Sequence, residues 1–270
     1  MLRPEFRPEI PPEEVIVDRC VRLSRFIALP LLAVVVLLGA AVQPALAAYQ
    51  ASADSNVSAF RGPCVGFVDT HPARMLSLAV SGLRSLGYSV SSFSGASFNR
   101  GAVLARTVND YSFYVHSHGD EYWDAAAQRR FNGFREDSGD CNQAVVFSAD
   151  IAKARAGRFT NLVVISTCHN ADPATTLPAA FGIARTKSQS GASHFYLGYL
   201  GTAYDNDEQV FETAFWAALE RGQGVGVAFD LGQAQNFSHA LDADWWGTYD
   251  WSGHAGAATF CPRCLVAGAQ

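Results

Sequence analysis

Apolar residues along this chain recur in three patterns. Near the start they run almost unbroken from Phe26 to Leu38, after a stretch carrying Arg19, Arg22 and Arg25 and before Pro44-Ala45-Leu46-Ala47. Further on they recur at helical spacing. Met75, Leu76, Ala79, Val80, Leu83 and Leu86 share one face of a predicted helix closed by Gly87. Val210, Phe211, Ala214, Phe215, Ala218 and Leu219 share a face of another over 207–219, closed by Arg221 and Gly222. The third pattern is short aromatic and β-branched runs, which predict strands at 64–69, 88–93, 111–115, 161–165 and 194–199. The 161–165 run (N-L-V-V-I) has the unbroken apolar character of a strand buried on both faces of a parallel sheet.

Weaker signals fill the gaps. A weak helix or loop is expected at 98–109, and helices at 149–156, 173–185 and 225–236. Residues 48–62 are small and polar, and predict a flexible lead-in. The polar segment 119–143 holds Trp123, Arg129-Arg130 and Glu136-Asp137 and predicts a long loop of the kind that forms lids. The tail 241–270, rich in Trp, Gly and Cys, carries no pattern that assigns an element. Strand and helix alternate four or five times, so the expected class is α/β, a mostly parallel sheet flanked by helices on both faces, within residues 63–240. In such sheets ligands meet the C-terminal ends of the strands.

The first apolar run changes the picture of where the protein works. A basic start, a short apolar core and an A-x-A site make 1–47 a cleavable secretory signal. The expectation is a secreted protein with no membrane attachment after cleavage, because no second run approaches the ~20 residues needed to span a bilayer. Basic and acidic residues balance within 1–47, so the net charge of −5 belongs to the remainder. With only Lys153 and Lys187 as lysines and no basic cluster, nucleic acid is excluded as a partner.

Beyond the signal five cysteines remain: Cys64, Cys141, Cys168, Cys261 and Cys264. An oxidising compartment closes pairs, and an odd count leaves one thiol over. Two disulfides are expected, with Cys64 to a C-terminal cysteine one of several pairings. The C-P-R-C tail is also a possible redox or metal half-site.

Two predicted strands end in reactive side chains. One runs Y-S-F-Y-V into His116-Ser117-His118-Gly119-Asp120, the other L-V-V-I-S-T into Cys168-His169-Asn170. On neighbouring strands, ~4.8 Å apart, His118 and Cys168 would share one edge. A thiol beside an imidazole can become the thiolate nucleophile of acyl transfer. Gly119 lets its backbone N–H approach a reacting carbonyl, and with the Cys168 N–H it could form an oxyanion hole. The histidine lies 50 residues upstream of the cysteine, the order noted for caspases.

S-H-G after a strand, then an apolar strand ending in S-x-C, resembles the caspase-like cysteine peptidases, and CHAT peptidases most. Residues 146–168 look like that family's helix and strand leading to the nucleophile. Residues 191–199, 215–222 and 228–234 look like its last strand and two closing helices. The likeness spans roughly 110–236. It implies a caspase-like fold and hydrolysis of a protein or peptide substrate without metal or other cofactor. It makes Cys168 the nucleophile, His118 the general base and acid, and Gly119 an oxyanion donor. This chain departs from the family pattern at His169-Asn170. Asp120, His169, Asp172 and Asp205 are loop residues near the expected edge that could line a substrate pocket.

Two other readings use the same residues. His116-Ser117-His118-Gly119-Asp120 is an H-x-H-x-D string, as in metallo-β-lactamase-like zinc hydrolases, with further ligands to come from His169, His194 or His239. A catalytically inactive caspase-like domain that binds a partner is the other.

Overall fold

The computed structural model describes residues 49–58, 70–137, 143–156, 160–183, 194–235 and 242–248. In chain order the elements are β1 (Gln50–Ser55), α1 (His71–Ser85), β2 (Ser89–Phe93), a 3-10 turn (Gly95–Ser97), α2 (Arg100–Thr107), β3 (Ser112–His116), β4 (Gly119–Asp124), β5 (Arg129–Arg135), β6 (Val145–Phe147), α3 (Ser148–Arg155), β7 (Leu162–Ser166), α4 (Leu177–Ala180), β8 (His194–Leu200), α5 (Asp205–Glu220), α6 (Val225–Gln235) and β9 (Asp242–Thr248). The main sheet has the order β2-β1-β3-β7-β8-β9. Its first five strands are parallel, and β9 runs antiparallel to β8. The class is α/β with a mostly parallel sheet, as the alternation of elements predicts.

Strand periodicity divides the core. Tyr114, Leu162, Val164, Phe195 and Leu197 point to one face, where Ala79, Leu83, Phe211, Phe215, Trp216 and Ala228 of α1, α5 and α6 cover them. Phe113, Val115, Val163, Ile165 and Tyr196 alternate with these and point to the other face. There Val103 of α2, Ile151 of α3, Leu177 of α4, and Phe134 and Val146 of the small sheet cover them. Every residue of β3 and β7 is buried.

Three expectations need correction. The lead-in expected at 48–62 contains β1, which lies between β2 and β3. Its sequence Q-A-S-A-D-S lacks large apolar side chains because Ala51 and Ala53 sit in the core shared with α1, where small side chains let the helix close in. Its polar members Ser52 and Asp54 find partners on α2 and the turn after it. Ser52 donates to Asp110 at 2.6 Å, and Arg106 donates to Asp54. Burial pushes the Asp54 carboxyl up to about 8 even against the Arg106 guanidinium, so this contact is a hydrogen bond to a carboxyl driven toward its neutral form.

The long loop expected at 119–143 is instead largely a hairpin, β4 and β5, extended by β6 into a three-stranded antiparallel sheet. Its outer strand β4 stays polar because one of its faces meets solvent. The helix expected at 173–185 shrinks to Leu177–Ala180. Pro178 starts it, and Gly182, at φ 76°, stops it in a left-handed turn.

The tail, unassigned from its sequence, supplies β9. The signal at 1–47, the strand at 64–69, Cys64, Cys141, Cys261, Cys264 and His239 lie outside the described residues. Among the described helices, none is long and apolar enough to cross a membrane.

Candidate active site

The register of the sheet fixes the site. His116 and Ser166 are partners at the ends of parallel β3 and β7. His118 and Cys168 each follow two residues later, so both leave the sheet at one edge, beyond the C-terminal ends of neighbouring strands. The backbones touch there: a Cβ added at Gly119 would collide with Thr167 and stand 2.6 Å from the Cys168 carbonyl oxygen. Only glycine fits this close approach.

The loop after Cys168 is cross-braced. His169 adopts φ 60°, a strained value for a residue with a side chain. Its N–H donates to the Gly201 carbonyl at 2.7 Å, and its Nδ1 lies 2.8 Å from Asp172 Oδ2. Asp172 Oδ1 accepts from the Gly201 N–H at 2.7 Å. Buried Asn170 donates to the Ile165 carbonyl and accepts from the Tyr199 N–H. The His169-Asn170 pair therefore ties the end of β7 to the end of β8 and holds the turn that presents Cys168.

Cys168 is a free, half-buried thiol. Its Sγ accepts from the Ala203 N–H at 3.4 Å. Burial pushes the thiol up from its ordinary value of 9.0; the charges of Glu208 and Asp120 add to this, and the Ala203 N–H works against it. The thiol is thus neutral at rest rather than the thiolate that its place beside an imidazole suggests. His118 is shifted the other way, below the ordinary imidazole value of 6.5. Desolvation of the ring comes first, then the charges of His116 and Arg135. A neutral imidazole and a neutral thiol at one edge suit general-base attack better than a preformed ion pair.

Other predicted residues are scattered around this edge. Asp120 is exposed on β4. His169 and Asp172 serve the brace. Asp205, half-buried at the start of α5, faces inward to His71, His116 and Glu208. The H-x-H-x-D string does not converge among the described residues: His116 belongs to that buried group, and neither His118 nor Asp120 does. His194 lies at the opposite end of the sheet, beside the Thr160 carbonyl.

Sequence patterns missed Ala203, which contacts the thiol through its backbone, and Glu208, which biases it through its field. They also missed Tyr204, next to Ala203, which is 56% exposed. A backbone contact leaves no mark in sequence. The cavity of about 610 Å³ between α1 and α5, lined by Thr70, Arg74, Gln209 and Thr213, includes no residue of the Cys168 loop.

No family model matches the chain, and no curated protein does. Among solved structures it is similar to protein GSU0716 from Geobacter sulfurreducens, at a TM-score of 0.43 and 11% identity over 80% of this chain and 99% of that one. A likeness this distant bears on no residue of the site.

Proposed function

We propose that this chain is an exported cysteine-type hydrolase of the caspase-like kind, acting on peptide bonds through Cys168 and His118. The observation that carries the reading is the placement of His118-Gly119 and Thr167-Cys168 in backbone contact at the C-terminal edge of two parallel strands. The resemblance of 110–236 to CHAT peptidases adds the order and roles of the residues. The pattern of 1–47 is the basis for export.

In the proposed reaction His118, neutral at working pH, takes the Cys168 proton as Sγ bonds to the substrate carbonyl carbon. Negative charge developing on the carbonyl oxygen is held by the Gly119 and Cys168 N–H groups. The scissile C–N bond then breaks and the amine leaves with the proton that His118 returns. Water, deprotonated by His118, attacks the thioester, and the acid product leaves as Cys168 regains its proton. None of these steps uses a metal or other cofactor. Asp120, whose charge acts on the thiol, is the candidate to meet substrate residues beside the scissile bond.

The experiment is cleavage of a mixed peptide library, with new termini read by mass spectrometry, for the wild type and for Cys168→Ala. New termini that vanish in the variant support the reading. Identical cleavage by both, or none by the wild type, overturns it.

A further inference from the structure

We propose that a divalent transition-metal ion of the zinc type binds in a buried site formed by His71, His116, Asp205 and Glu208, beneath the candidate dyad and separate from it. The four residues come from three elements: the start of α1, the end of β3 and the first turn of α5. Each offers one ligand atom, and these atoms lie within 4.8 Å of one another. His116 Nε2 is 3.2 Å and His71 Nε2 is 3.8 Å from the same Glu208 oxygen, Oε2, and the two imidazole rings are 5.1 Å apart. A tetrahedral ion with bonds of ~2.0–2.1 Å places its donors roughly 3.3–3.4 Å apart. The His116–Glu208 pair is already within that spacing, the His71–Glu208 pair needs a contraction of a few tenths of an ångström, and the remaining pairs close from no more than 4.8 Å.

The chemistry of the donors selects the ion. Two imidazoles with two carboxylates suit zinc and its first-row neighbours, whereas magnesium and calcium prefer oxygen alone. His71, His116 and Glu208 are at most 5% exposed, and so brought together away from water. Buried charges are paired or ligate metals. An ion here would cross-link α1, β3 and α5 just below the strand end that leads to His118. The inference stands without the reading of Cys168, since the nucleophile contributes no ligand.

The test is zinc titration of the EDTA-stripped protein by calorimetry and thermal unfolding, with magnesium as control, in the wild type, Cys168→Ala, Glu208→Gln and Asp205→Asn. One zinc ion per chain is expected in both wild type and Cys168→Ala, with a raised Tm and no response to magnesium. Glu208→Gln and Asp205→Asn should weaken binding by at least roughly tenfold, the lower end of what even a lost outer-sphere partner costs. Asp205 is half-buried, so its variant keeps the test valid if Glu208→Gln fails to fold. Cobalt should give the visible bands of a four-coordinate N/O site without thiolate charge-transfer absorption. Loss of binding in Cys168→Ala, undiminished binding in both carboxylate variants, or no zinc-dependent rise in Tm overturns the proposal.

Discussion

Gly119 packs onto the backbone of Cys168 so closely that a Cβ at position 119 would stand 2.6 Å from the Cys168 carbonyl oxygen. This contact joins the two strand ends on which the proposed chemistry depends, and it makes glycine obligatory. Gly119→Ala should force the His118 loop away from Cys168. Misplacement on the order of 1 Å costs about 100-fold in rate. We therefore expect peptidase activity to fall about 100-fold while circular dichroism stays native. Full activity in that variant would mean that the loop can shift without consequence.

The state of the thiol gives a second prediction. Because burial and the Glu208 and Asp120 charges hold Cys168 above 9.0, its alkylation by iodoacetamide should climb steadily through neutral pH and beyond 9. Asp120→Asn should raise the rate at any given pH. A plateau already reached on the acidic side would reveal a preformed thiolate–imidazolium pair instead.

What could be read from the sequence follows from where information is stored. Tyr111–Val115 and Asn161–Ile165 announce strands because their own side chains fill both halves of the core, and their reactive ends follow directly. β1 is silent because Ala51, Ser52, Ala53 and Asp54 have no apolar bulk of their own; the helix packed against them and Arg106 decide their conformation. The hairpin β4–β5 reads as a loop in sequence because β4 is solvated on one face. The grouping of His71 with His116 and Glu208 is invisible in sequence, since only the fold brings these distant positions together.

Helix packing offers a test of the core that does not depend on function. A Cβ at Gly82 of α1 would lie 2.7 Å from Cδ2 of the Trp216 ring on α5, and Trp216 is fully buried. Alanine is a better helix former than glycine by about 1 kcal/mol, but the rigid indole cannot move aside. Gly82→Ala should therefore destabilise the protein by about 1–3 kcal/mol, read as a lower denaturant midpoint. An increase would show that α1 and α5 are free to slide.

Buried Glu212 accepts from Tyr199 Oη at 2.8 Å and from Trp216 Nε1 at 3.2 Å. Burial, with the Glu208 charge adding to it, raises its carboxyl above the ordinary 4.5. The folded state thus holds this proton more tightly than the unfolded chain does. Its stabilising contribution is complete below pH 4.5 and is lost as pH rises through the raised folded value, with a limiting slope of ~1.4 kcal/mol per pH unit. Glu212→Gln removes that slope, although its amide would face the Trp216 N–H and lower the baseline. Denaturant unfolding at a series of pH values should show the variant losing less stability than the wild type above pH 4.5. Parallel curves would contradict the assignment.

The central claim is that Cys168 forms an acyl intermediate with His118 as its base. The most direct measurement is acylation by p-nitrophenyl acetate, with the modified residue located by peptide mass mapping in the wild type and in His118→Ala. The account predicts an acetyl group on Cys168 that water later removes, formed at least about 100-fold more slowly without His118. An unmodified Cys168, or acylation at the same rate in His118→Ala, would contradict it.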